Sequence, residues 1–126
     1  MFAAIVLPII ILDLLWLGLI ARGVYQGVLS AFLRPHFSLL GAFVVYVALA
    51  LGVQFFVLRN SFVVSSKSSL LMGALFGLLV YAVYEFTNLA VIGEWSLKVV
   101  FIDIVWGVIM MSLSSLAGFR AQAWAS

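Results

Sequence analysis

Three acidic residues stand where acids are costly. Asp13, Glu85 and Asp103 each lie inside a long apolar run. An ionisable group in such a run costs several kcal/mol, so it needs a partner or a task. Glu85 sits in the richest stretch, Tyr81-Ala82-Val83-Tyr84-Glu85-Phe86-Thr87-Asn88. At about 100° per residue, Tyr81, Tyr84, Glu85 and Asn88 fall at i, i+3, i+4 and i+7, one stripe of a helix. Asp13 is followed by Trp16 and Asp103 by Trp106. That spacing puts each pair on one helix face.

Three carboxyls brought together in low dielectric cannot all ionise unpaired. Such a cluster could bind a proton, a metal cation or a cationic solute. Tryptophan and tyrosine faces hold organic cations. The carboxyls could equally form a general acid/base pair for chemistry on a lipid. The basic residues within reach are Arg22, Lys98 and Arg34, although long basic chains more often point outward to the headgroups. The competing reading is structural. Asp13 could bond Tyr84 or Asn88 and only fix the bundle, each such bond contributing about 0.6–2 kcal/mol. The candidate binding set is Asp13, Trp16, Arg22, Tyr81, Tyr84, Glu85, Asn88, Asp103 and Trp106.

No metal or other cofactor is expected. There is no cysteine, and the one histidine, His36, stands beside Pro35 and reads as an interfacial polar residue. Without a Ser-His or Cys-His pair, no catalytic residue is assigned and the question of enzymatic activity stays open.

The elements that must position these groups are membrane helices. Of 126 residues, 67% are hydrophobic and 8% charged, far from the roughly 25% charged residues of soluble domains. A soluble core of this length could not hide so much apolar surface. The net charge of +2 comes from scattered basic residues with no stripe, so nucleic acid is not an expected partner.

Four crossings are predicted in one domain, residues 1–126, at about 2–21, 39–58, 70–92 and 98–118. Each matches the roughly 20 residues a crossing needs. A cleaved signal peptide is the weaker reading of the first run, which has no basic residue before it and an acid inside it. Residues 22–38 read as a short interfacial helix, with Val28, Leu29, Phe32 and Leu33 on one face and Pro35 as its stop. Continuous apolar runs exclude a β-barrel. The fold class is therefore all-α, an integral membrane four-helix bundle with an interfacial helix between the first and second crossings. Gly73 and Gly77 offer a small-residue packing face, and Trp95 suits an interface anchor.

The chain reverses at each crossing, so depths can be compared at about 1.5 Å per residue. From the side bearing residues 22–38 and 93–97, Asp13 lies about 12 Å deep, Glu85 about 10 Å and Asp103 about 8 Å. The three acids share one layer.

Leu12-Asp13-Leu14-Leu15-Trp16-Leu17-Gly18 with Arg22 and Tyr25 carries a family likeness. So do Gly73-Ala74-Leu75-Phe76-Gly77-Leu78, Tyr81, Tyr84, Glu85, Thr87-Asn88-Leu89-Ala90, and Asp103 with Trp106-Gly107. Together these resemble DUF2177, a bacterial membrane family with no established activity. The resemblance implies a small four-helix protein of the bacterial inner membrane and transfers no catalytic residue. Glu85 departs from the aspartate expected there. Members resemble neighbours of lipid-modifying enzymes, which implies an accessory lipid role as one alternative. Small multidrug-resistance transporters are similar in architecture, with an acid in the first helix; this chain departs by its two further acids and longer first connection.

Three functional readings follow. The first is a multi-pass membrane protein whose acid-aromatic pocket binds a small solute, cation or lipid headgroup, with proton-coupled transport as its mechanism. The second is a membrane-lipid enzyme or its accessory subunit. The third is a structural or assembly role. Basic residues are balanced, Arg59, Lys67 and Arg120 against Arg22, Arg34 and Lys98. Charge counting alone therefore leaves the topology open; the exposed Arg59–Lys67 loop, with Arg22 and Lys98 free to serve the site, favours termini in the cytoplasm, while the balance itself is what an antiparallel homodimer would show. The expected partners are the bilayer and one small solute or lipid ligand.

Overall fold

The computed structural model describes residues 2–16 and 39–125. Among the described residues there are four helices and no strand. They are α1 (Phe2–Leu15), α2 (Leu39–Gly52, extended by a π-helical segment Val53–Leu58), α3 (Ser66–Val91) and α4 (Leu97–Ala125). The interfacial helix expected over 22–38 lies outside the described residues. Arg22, Arg34 and His36 lie outside them as well.

Three helices are long and apolar enough to cross a membrane. They supply spans Leu40–Leu58, Ser66–Val91 and Leu97–Trp124, with mean hydropathy 2.3, 1.7 and 2.1. The 14 residues of α1 are as apolar but shorter than the roughly 20 a crossing takes. The rest of that run lies beyond the described Trp16. The protein is an all-α membrane bundle.

The helix ends follow from local chemistry. α3 starts at Ser66 because Ser65 caps it: the Ser68 N–H donates to Ser65 Oγ at 3.1 Å, and the Ser65 N–H donates to Ser68 Oγ at 2.9 Å. This reciprocal capping satisfies donors that a helix start otherwise leaves open. At the far end the Ile92 N–H still reaches the Asn88 carbonyl, and the Trp95 N–H closes a tight turn onto the Ile92 carbonyl at 3.1 Å. Ser96 then caps α4 through the Val99 N–H at 3.2 Å. That turn folds Trp95 back over α3. Arg59, at the end of α2, lies over the Phe55 ring at 4.5 Å.

Pairwise contacts fix the directions. Gly73 lies against Ser115 and Gly77 against Gly107, so α3 and α4 are antiparallel. Ile5 meets Gly118 and Trp16 meets Trp106, so α1 and α4 are too. Asp13 meets Tyr46, and Gly52 meets Phe76. The result is an up-down-up-down bundle in which α4 packs against α1, α3 and the π-helical segment. Half of the α4 span is buried, against 33% for α2 and 17% for α3.

Lipid tails are as apolar as leucine, so helices associate in a membrane through close packing rather than water exclusion. The α3–α4 seam supplies it. A Cβ at Gly77 would run into the Gly107 carbonyl, and one at Gly73 would meet the Met111 carbonyl at 2.7 Å. Ser112 Oγ adds a 2.8 Å bond to the Leu70 carbonyl across the same seam. Ile5, Ile9, Val53, Val57, Met110 and Met111 fill the bundle interior. Outward stand Phe43, Phe56, Leu71, Leu79 and Phe101, an apolar exterior suited to hydrocarbon.

Candidate functional site

The bundle brings the acid layer together at the end that bears the α3–α4 turn. Asp13 from α1 and Asp103 from α4 line one cavity of about 250 Å³ with Tyr81 and Tyr84 from α3. Val45, Leu49 and Val80 supply its apolar wall. The two carboxyls are close enough to act on each other electrostatically, and Tyr81 feels both. All four helices contribute.

Asp13 has a partner the sequence reading did not name. The Tyr46 hydroxyl of α2 donates to Asp13 Oδ2 at 2.7 Å. The bond to Tyr84 or Asn88 considered from sequence is not the one formed. Depth arithmetic could have found Tyr46: it lies seven residues after Leu39, about 10 Å, in the same layer as the acids.

Trp16 and Trp106 stack on each other, ring centroids 4.9 Å apart and planes within 9°. The two acid-tryptophan pairs of the sequence thus meet ring to ring from antiparallel helices. The Trp106 indole lies near Asp13, yet its N–H, like that of Trp16, is buried with no hydrogen bond of ordinary length and angle. A second, wholly apolar hollow of about 370 Å³ lies beside the stack, lined by Phe101, Ile102, Val105 and Ile109.

Glu85 occupies a different place from the other two acids. It is fully buried between α3 and α4 and does not line the cavity. Trp95 Nε1 donates to its Oε2 at 2.7 Å. Trp95 is therefore not an interface anchor. It is 8% exposed and packs with Val99, Val100 and Ile104, carried there by the tight turn at 92–95. The other face of Glu85 meets Asp103, whose carboxyl comes within hydrogen-bonding reach. Glu85 Oε1 has no N–H or O–H donor among the described residues. Two carboxyls close such a bond when a proton sits between them. Asp103 thus touches both the cavity and the buried Glu85.

The remaining candidates divide. The Tyr84 ring meets the Tyr81 ring edge-on at 6.4 Å, and its hydroxyl lies near Asn88 one turn on. Asn88 does not line the cavity, and Thr87 points outward. Lys98 is exposed. Arg22 lies outside the described residues. No basic side chain among the described residues acts on Asp13 or Glu85. Those residues also hold no group of three or more metal-ligating side chains placed to bind an ion.

The arrangement can do one thing well. It presents two carboxylates and two phenol rings to a small space in low dielectric, which favours a cation or protons in its place.

The family model described as "Predicted membrane protein (DUF2177)" matches residues 1–120. No curated protein and no solved structure matches the chain.

Proposed function

The chain belongs to the DUF2177 family of predicted membrane proteins, and we propose that it binds a small cation, exchanged against protons, in the cavity between Asp13, Asp103, Tyr81 and Tyr84. One observation carries this reading. Two acids from antiparallel helices line one cavity with two tyrosines, and no described basic side chain acts on Asp13. Buried charge needs a partner. A cationic group in the cavity provides one, with aromatic faces beside it. A proton on either acid provides another. Exchange between the two couples ligand to proton, which is the elementary step of a proton-linked transporter.

Glu85 favours a second, narrower role. Its bond to Trp95 ties the α3–α4 turn to the body of α3. We assign it to positioning Asp103 rather than to holding the ligand.

The test is a titration of the full-length protein in zwitterionic lipid nanodiscs with alkylammonium ions from ethyl to dodecyl, read by heat and by tryptophan fluorescence at two pH values. Saturable binding of at least one member, weaker at lower pH and lost in Asp13→Asn and Asp103→Asn, supports the reading. Binding that ignores both substitutions and pH, or no binding by any member, refutes it.

A further inference from the structure

The cavity lies beside the seam between α2 and α3. α2 and α3 approach closely only around Gly52 and the π-helical segment Val53–Leu58, where the Phe76 ring lies against Gly52. Towards the acid layer the two helices part. The cavity residues of this pair are Val45 and Leu49 on α2, and Val80, Tyr81 and Tyr84 on α3. Val45 is 52% exposed and Tyr84 50% exposed, while Leu49 is 9% exposed. Exposure therefore rises from the cavity floor to its rim. The rim lies within spans Leu40–Leu58 and Ser66–Val91, and its neighbours Val44 and Val83 are exposed and apolar. In a membrane such a rim faces hydrocarbon, not water.

Size points the same way. A cavity of about 250 Å³ falls below the roughly 300–1,000 Å³ of pockets that enclose a drug-sized ligand. It holds a headgroup. The remainder of a larger ligand would leave through the α2–α3 opening, over Val45 and Val83, into the acyl chains. The inner end offers two carboxylates and the Tyr81 phenol; the outer end offers the Tyr84 ring and the apolar Val45.

We propose that the ligand is an amphiphilic amine that enters from the bilayer between α2 and α3, seating its ammonium group against Asp13 and Asp103 and leaving its hydrocarbon tail in the lipid. This inference rests on the cation-binding reading and adds the class of ligand and its route. Tyr84 stands at the rim, where its ring can lie against the ammonium as it passes. The Tyr46 hydrogen bond holds Asp13 in place on the α2 side of the opening.

The experiment compares ethylammonium, dodecylammonium and neutral dodecanol on the full-length protein in phosphatidylcholine nanodiscs, with every affinity referred to the free concentration in water, so that a tail held in lipid tightens binding. Three proteins are used: wild type, Asp13→Asn and Val45→Trp, the last narrowing the rim while leaving both acids in the sequence. Circular dichroism and thermal melting establish that each is folded. The expected result is dodecylammonium binding at least about tenfold tighter than ethylammonium, lost in Asp13→Asn and weakened about tenfold in Val45→Trp. Dodecanol is expected not to compete. Equal affinity for the two amines overturns bilayer entry but leaves cation binding standing. Dodecanol binding as well as dodecylammonium removes the acids from recognition and overturns the proposal. Binding of neither amine refutes the cation reading and the inference with it. Should Val45→Trp fail to fold, the wild-type ratio of the two amines decides alone.

Discussion

The Tyr46 hydroxyl donates a 2.7 Å hydrogen bond to Asp13, joining α2 to α1 beside the acid cavity. Tyr46 is buried at 9% exposure, so water from the surface cannot replace it freely. Tyr46→Phe removes this donor and little else. Hydrogen bonds between membrane helices contribute about 0.6 kcal/mol on average and up to about 1.7 kcal/mol. Tyr46→Phe should therefore destabilise the bundle by about 1 kcal/mol. Reversible unfolding in mixed micelles measures this. The same variant should bind an alkylammonium more weakly, because the carboxylate that meets the cation loses the bond that orients it.

The α3–α4 seam should tolerate no added methyl. At Gly77 the obstacle is the Gly107 carbonyl, which is backbone and cannot rotate away. Gly77→Ala should cost about 1–3 kcal/mol, the range for overpacking a filled interior, measured by the same unfolding assay. Gly107→Ala has a different consequence. Its new methyl meets the Tyr81 ring near its root, so Tyr81 must move out of the cavity wall. Alkylammonium affinity should fall in that variant even where the bundle remains folded.

Glu85 and Asp13 should separate by phenotype. Glu85→Gln keeps an acceptor for the Trp95 N–H and gains an amide that can donate to Asp103. It should leave stability within about 1 kcal/mol of wild type and preserve alkylammonium binding. Trp95→Phe strands Glu85 Oε2 in a fully buried site and should cost about 1–3 kcal/mol. Unfolding midpoints and binding isotherms of the two variants check both statements. Loss of binding in Glu85→Gln with the fold intact would move Glu85 into the ligand site and contradict its positioning role.

Much of this was readable from residues, and what was not has a physical reason. The shared depth of Asp13, Glu85 and Asp103 follows from a fixed rise per residue and apolar runs of one length. Depth does not give azimuth. Glu85 lies at the level of Asp103 but points into the α3–α4 seam, so it meets Trp95 and leaves the cavity to Tyr81 and Tyr84. Gly73 and Gly77 marked a packing face; that Gly107 receives it depends on which helix neighbours α3. Tyr46 was missed because a lone tyrosine among valines carries no polar pattern of its own. Trp95 was misplaced because tryptophan at a turn suits both an interface and a buried donor, and only the 92–95 turn decides.

The pH dependence of binding has a definite sign. Cation and proton compete for the same carboxylates, so affinity should rise as pH rises and protons leave. Displacement of one proton per cation gives about tenfold per pH unit across the titrating range. Isotherms at constant ionic strength over several pH values measure the slope. A flat profile means that the cation meets acids already ionised, and removes proton exchange from the account.

The most direct measurement is proton release itself. Dodecylammonium is added to the full-length protein in weakly buffered nanodiscs with a pH indicator. Cation exchange in the Asp13–Asp103 cavity predicts prompt acidification that saturates with binding in wild type and Glu85→Gln, and vanishes in Asp13→Asn and Asp103→Asn. Saturable binding with no proton released at any pH, or equal release from the Asp13→Asn and Asp103→Asn proteins, would contradict it.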